Sequence, residues 1–188
     1  MDHLSPSLSI LFESGTTGGL VYKQELKNNF ISYAINISHK QIDRICELII
    51  NCQSKLLIKK FENTNDYDIS QVFLIHSWTI ESLKLLLSSS TSLLICIIND
   101  KQNKLAGYLL LTSIDHRIHH MNPEVDQFIL DVNVIANEQW EQLVASPYIR
   151  YIEQTGVDIE YHRQTIGSTL IALAKNQNQE YICTCVMY

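Results

Sequence analysis

The chain has 188 residues, a net charge of −6 and only 14 lysines and arginines, which argues against a nucleic-acid-binding surface. Hydrophobic residues make up 46% and mean hydropathy is near zero, so the composition supports one α/β domain with a full core and excludes general disorder. No apolar run approaches the ~18–20 residues of a membrane-crossing helix. The start, Met1-Asp2-His3, has no signal-peptide pattern, and five cysteines without a C-x-x-C pair point to a reducing cytoplasm.

Residues 1–29 read as an N-terminal arm of unknown role. Its glycine cluster, Ser14-Gly15-Thr16-Thr17-Gly18-Gly19, is similar to the phosphate loop of adenylate-forming enzymes. It lacks the Pro-Lys that follows there and the several hundred further residues such enzymes need, so it reads as a mobile arm or a hairpin turn. Phe30 to Ile37 alternates as a strand. Ser38, with Gln41 three residues on, forms a capping box, and Ile42, Ile45, Cys46 and Ile49 make the inner face of a first helix. Lys55 to Phe61 reads as helix or strand, and Asn63 to Asp68 is a polar break. Glu81 to Ser88 is a second helix, with Ile80, Leu83, Leu86 and Leu87 facing inward. Leu93 to Ile98 is a buried strand, 99–103 a hairpin turn and Leu105 to Ile114 the return strand, in which Gly107 marks close backbone approach. Residues 115–148 form an insertion with short helices near Glu124 to Val132 and Glu138 to Val144, long enough to suggest a role of its own. A strand from Ile149 to Val157, a helix from Ile166 and a last strand with Cys183 and Cys185 on one face complete the order.

The most informative stretch is 157–168, Val-Asp-Ile-Glu-Tyr-His-Arg-Gln-Thr-Ile-Gly-Ser, where a strand passes through a cation-bearing turn into a helix. Such a junction leaves backbone N–H groups free at the positive end of a helix dipole, a ready site for phosphate. The stretch resembles the acyl-CoA-binding motif of the GNAT superfamily of N-acetyltransferases, V-x-P-x-Y-Q/R-R-x-G-I-G-S. Val157, Glu160, Tyr161, Arg163, Ile166, Gly167 and Ser168 fall in register; Ile159 replaces the Pro and Thr165 the first Gly. The order of elements resembles that fold up to its fifth strand. The resemblance implies an α/β fold (a mixed α+β sheet) of GNAT type over 30–188, with the 115–148 insertion between the third and fourth strands. The helix and two strands that follow in the family, often with a Tyr as general acid, have no counterpart before Tyr188.

The resemblance also implies the chemistry: acetyl-CoA as co-substrate and a small-molecule or protein amine as acceptor. Backbone N–H groups of Arg163, Gln164, Thr165, Ile166, Gly167 and Ser168 would hold the diphosphate, and an N–H near Val157 would face the thioester carbonyl. Thr165, with a branched side chain where the motif has Gly, would strain the turn. In the family the pantetheine arm pairs with the fourth-strand edge, here Gln154 to Val157, with Gly156 easing a bulge. Strand alternation places Tyr151, Glu153 and Thr155 on one face, and Glu153, the single carboxylate there, is the candidate base. Its plainer reading is a solvated strand residue.

Asp115, His116, His119 and His120 lack the fixed helical spacing of a zinc motif, so no metal is expected. Membrane association is not expected either, and an exposed fifth-strand edge would favour a homodimer or a partner. Two other classes compete with the enzyme reading: a catalytically inactive GNAT-like binding or regulatory module, and an unrelated nucleotide-binding α/β protein.

Overall fold

The computed structural model describes residues 7–14, 18–56, 78–88, 92–113, 149–177 and 181–184. They form α1 (Leu8–Glu13), β1 (Leu20–Glu25), β2 (Phe30–Ile35), α2 (Ile42–Leu56), α3 (Ile80–Leu87), β3 (Leu93–Asn99), β4 (Lys104–Ser113) and β5 (Ile149–Val157). A 3-10 turn (Ile159–Tyr161), α4 (Ile166–Gln177) and β6 (Tyr181–Thr184) follow. The expected insertion 115–148 with its helices and histidines, the break at 63–68 and Cys185 lie outside the described residues.

Six strands form one sheet in the order β1-β2-β3-β4-β5-β6. Neighbours are antiparallel except β5 and β6, which are parallel. The short turn at Asp100–Asn103 suffices for an antiparallel pair, whereas a parallel neighbour needs a crossover, which α4 supplies. β3 is buried on both faces, which is why Leu93 to Ile98 is an unbroken apolar run rather than an alternating one. One face carries α1, α2 and α3 over Tyr33, Ile35, Leu94, Cys96, Ile98, Tyr108 and Leu110. The other carries α4 over Ala34, Ile95, Ile97, Leu109, Leu111 and Ile152.

The described part of residues 1–29 is built into this sheet and core. β1 joins β2 through Asn28 and Asn29, both at positive φ (60° and 61°), as a type I′ turn requires and asparagine tolerates. Phe12 of α1 is fully buried and stacks on Tyr33 with ring centres 4.9 Å apart. Glu13 accepts from Lys23 Nζ at 2.8 Å and from the Tyr33 hydroxyl at 3.1 Å. Buried His39 clamps α1 from behind: its Nε2 donates to the Phe12 carbonyl at 2.7 Å while Nδ1 accepts the Gln41 N–H at 3.1 Å.

That clamp also moves the start of α2. The helix begins at Ile42 rather than Ser38, because the Ser38 N–H donates to Asn36 Oδ1 and the His39 ring, not a serine–glutamine box, takes the Gln41 N–H. α3 is capped as its sequence suggests, Thr79 accepting from the Ser82 N–H at 3.1 Å. Cys46, Cys52 and Cys96 are free and buried, and burial pushes the Cys46 and Cys52 thiols up to about 11 and about 12. Among the described residues no helix is long and apolar enough to cross a membrane.

Candidate active site

The chemistry-bearing region is the end of β5 and the turn that follows. β5 does not alternate evenly. Leu110 is opposite Gln154 and Leu111 opposite Ile152, so Glu153 is an extra residue, a β-bulge. Ile152 lies in the α4-side core, yet the Gln154 side chain lies on the α2 side, where it meets Gln53 and Tyr108. Glu153 also turns to the α2 side, accepting from the Thr112 hydroxyl at 2.8 Å. Beyond the bulge the faces are exchanged: Thr155 and Val157 face α4. The expected grouping of Glu153 with Thr155 is therefore overturned, because one inserted residue shifts a period-2 pattern by one face. Gly156 does not ease this bulge, which lies three residues earlier. It is there because a Cβ would come within 2.4 Å of the Tyr108 ring.

The turn after β5 is pinned at several points. The Asp158 N–H continues the ladder to the Ala106 carbonyl at 2.9 Å, and its Oδ1 accepts the Glu160 N–H at 3.1 Å. Tyr161 is buried edge-on against Phe30, and its hydroxyl donates to Gln102 Oε1 at 2.5 Å. His162 Nε2 donates to the Val157 carbonyl at 3.0 Å, folding the turn back onto the strand. The chain then passes through Arg163 and Thr165, both at φ 63°, before α4 begins. Thr165 thus holds the left-handed conformation that its motif position gives to glycine. Its carbonyl accepts from the Thr169 N–H at 2.9 Å and from the Ser168 hydroxyl at 3.1 Å.

We expect Thr165→Gly to stabilise the protein by about 1 kcal/mol, the left-handed penalty of a residue with a Cβ less the extra entropy of glycine in the unfolded chain. The urea midpoint measures it, and a lower midpoint would contradict the strain.

A cleft of about 550 Å³ opens at this turn, lined by Thr155, Val157, Tyr161, His162, Arg163, Thr165, Ile166 and Gly167. Among the described residues, the N–H groups of Arg163, Thr165, Ile166, Gly167 and Ser168 have no protein acceptor. Among the described residues a Cβ on Gly167 would meet only Val157 Cγ2, at 3.7 Å, so none of them demands glycine there. Unbonded donors at a helix N-terminus, an exposed arginine and space kept by a glycine fit a diphosphate.

Of the expected cofactor residues, Val157, Arg163, Thr165, Ile166 and Gly167 line this cleft. Gln164 does not: its amide donates to the Glu160 carbonyl at 3.2 Å, and it borders a smaller hollow of about 280 Å³ beside Lys27 and Asn28. The Ser168 hydroxyl is taken up by the Thr165 carbonyl. Thr155, expected only as part of the Gln154 to Val157 edge, and His162, not expected, line it too. Thr155 follows from alternation with Val157 once the bulge is known, whereas nothing in the sequence marks His162. Among the described residues β6 pairs with Ile149 to Ile152 of β5. No metal-binding group of three or more His, Cys, Asp or Glu occurs among them.

Behind the turn, Lys55 Nζ lies 2.6 Å from Asp158 Oδ2, joining α2 to the end of β5, and Lys104 is paired with Glu160 at 2.6 Å. The Asp158 carboxylate holds the Lys55 ammonium above the ordinary lysine value of 10.5. A raised cation contributes stability that is complete below 10.5 and is lost as pH rises through the folded value. The melting-temperature gap between wild type and Lys55→Met should therefore be constant from neutral pH to about 10 and narrow above it. A gap unchanged up to about pH 12 would refute the pairing.

No protein-family model and no curated protein matches the chain. Among solved structures, an aminoglycoside acetyltransferase from an uncultured soil metagenomic sample, in complex with trehalose, superposes with a TM-score of 0.50. The identity is 15%, over 87% of this chain and 81% of that one. The same enzyme in complex with sisomicin gives 0.49 at 15% identity over the same shares. A ribosomal-protein-alanine N-acetyltransferase from Brucella melitensis biovar Abortus 2308 gives 0.42 at 7% identity, over 84% and 80%. At such identities the likeness is one of fold, and the first of these structures carries it. The chain has the mixed α/β fold of the GNAT acetyltransferases.

Proposed function

We propose that this protein is an N-acetyltransferase that moves an acetyl group from acetyl-CoA to a primary amine by direct attack. The observation that carries the reading is the set of N–H groups of Arg163, Thr165, Ile166, Gly167 and Ser168, without a protein acceptor among the described residues and beside a cleft in which Gly167 keeps space. Those donors and the Arg163 guanidinium would hold the diphosphate. The β5 segment from Thr155 to Val157 would align the pantetheine arm, with an N–H near Val157 toward the carbonyl.

Acetyl-CoA, when bound, supplies an activated thioester. The amine nitrogen bonds to its carbonyl carbon, the carbon–sulfur bond breaks, and the amine gives up a proton while the thiolate gains one. Glu153, turned out of the strand by the bulge and oriented by Thr112, takes the amine proton directly or through water. The net charge of −6 favours a cationic acceptor, a small-molecule polyamine or a basic protein amine. The test is calorimetry with acetyl-CoA, CoA and ATP on wild type and Gly167→Trp, followed by an amine screen that includes spermine and a lysine peptide. Micromolar binding of both CoA species, lost in the variant, supports the reading. No heat at millimolar acetyl-CoA sinks it.

A further inference from the structure

We infer that Gln154 is a positioning residue, which through a clamp with the buried Gln53 and Tyr108 sets the register of β5 and so fixes where Glu153 and the acyl-binding edge stand. The inference rests on the acyl-transfer reading of Glu153 and the cleft. Gln154 Oε1 accepts two hydrogen bonds, from the Tyr108 hydroxyl at 2.7 Å and from Gln53 Nε2 at 2.7 Å. Gln53 is fully buried, and its Oε1 in turn accepts the Trp78 N–H at 2.9 Å, just before α3. Tyr108 is fully buried too, and its ring lies over Gly156, with Cε1 at 2.4 Å from the place a Cβ would take. The clamp therefore spans α2, the entry to α3, β4 and β5.

Its consequence is geometric. An even strand would place residue 154 on the α4 side with Ile152. There its carboxamide would face Leu109, Leu111 and Leu170, and the buried donors of Tyr108 and Gln53 would lose their acceptor. With Gln154 held on the α2 side, the surplus residue must be accommodated at 153. Glu153 is then swung toward Thr112, and Thr155 and Val157 are delivered to the cleft face. Gln154 need not touch any reactant to govern the carboxylate beside it.

The experiment compares wild type, Gln154→Leu, Gln53→Leu, Gln154→Glu and the milder Tyr108→Phe, which keeps the ring over Gly156. Circular dichroism melts establish the folded fraction of each. Calorimetry gives the CoA affinity, and thiol release from acetyl-CoA, in water and with spermine, gives kcat and KM. The expected result for Gln154→Leu and Gln53→Leu is a fall in kcat of tenfold or more, with CoA affinity within threefold of wild type. The double variant should be no worse than either single one, because both remove one unit. Gln154→Glu, which keeps an acceptor oxygen for both donors, should recover most of the rate. Unchanged kcat in folded Gln154→Leu, Gln53→Leu and Tyr108→Phe, beside an active wild type, overturns the positioning role and leaves the acyl-transfer reading standing. A wild type that neither binds nor consumes acetyl-CoA overturns both.

Discussion

Gly167→Trp is expected to weaken acetyl-CoA binding by at least about 100-fold, close to 3 kcal/mol, while the variant melts with the parent protein. Separating the two effects is what gives the experiment its force. Gly167 is the second residue of α4, within a helix where glycine is a poor former, so a larger side chain does not oppose the local backbone. Among the described residues, the place where a Cβ would stand touches only Val157 Cγ2, at the ordinary distance of 3.7 Å. An indole there projects into the cleft beside Ile166, Thr165 and Arg163 and covers the N–H groups assigned to the diphosphate. Calorimetry on the folded variant decides the matter. Wild-type affinity in Gly167→Trp would move the cofactor away from this turn, whatever the fold.

Gly156→Ala should be costly in stability, by about 2–4 kcal/mol, the upper range of overpacking in a filled core. The added methyl would stand 2.4 Å from Tyr108 Cε1, 2.8 Å from Cζ and 2.9 Å from the hydroxyl oxygen. Tyr108 cannot yield cheaply, because it is fully buried and its hydroxyl is bonded to Gln154. Burial also raises its pKa, so the hydroxyl stays protonated and remains a donor. The urea midpoint of Gly156→Ala measures the cost, and adding Tyr108→Leu should recover part of it if the ring is the cause. A midpoint equal to wild type would mean that β5 and Tyr108 do not meet as described.

Much of the architecture was legible along the chain. Leu93 to Ile98 and the return strand announced a buried hairpin, the apolar spacing from Ile42 to Ile49 a helix face, and 157–168 a strand-to-helix junction with free donors. These are local properties: hydrophobic period, turn residues and helix ends act over a few residues. The left-handed Thr165 belongs with them, since its departure from glycine could be read before its φ was known. β1 is legible as well, from Asn28-Asn29 between two alternating runs.

Tertiary structure alone decided the faces of β5. Period-2 reasoning is exact only while no residue is inserted, and the bulge at Glu153 arises from partners far away in sequence. Gln53 lies 101 residues before Gln154, and Tyr108 lies 46 before it. No local pattern could show that Gln154 would be drawn to α2, that Glu153 would swing to Thr112, or that Thr155 would join the cleft. The same holds for His39, whose imidazole reaches back 27 residues to the Phe12 carbonyl and displaces the start of α2. By itself the sequence determined the order of the described elements from β2 onward and the strand-to-helix turn after β5, because each is written in neighbouring residues. The placing of side chains around that turn was decided only in three dimensions, where buried donors must find acceptors wherever the fold brings them.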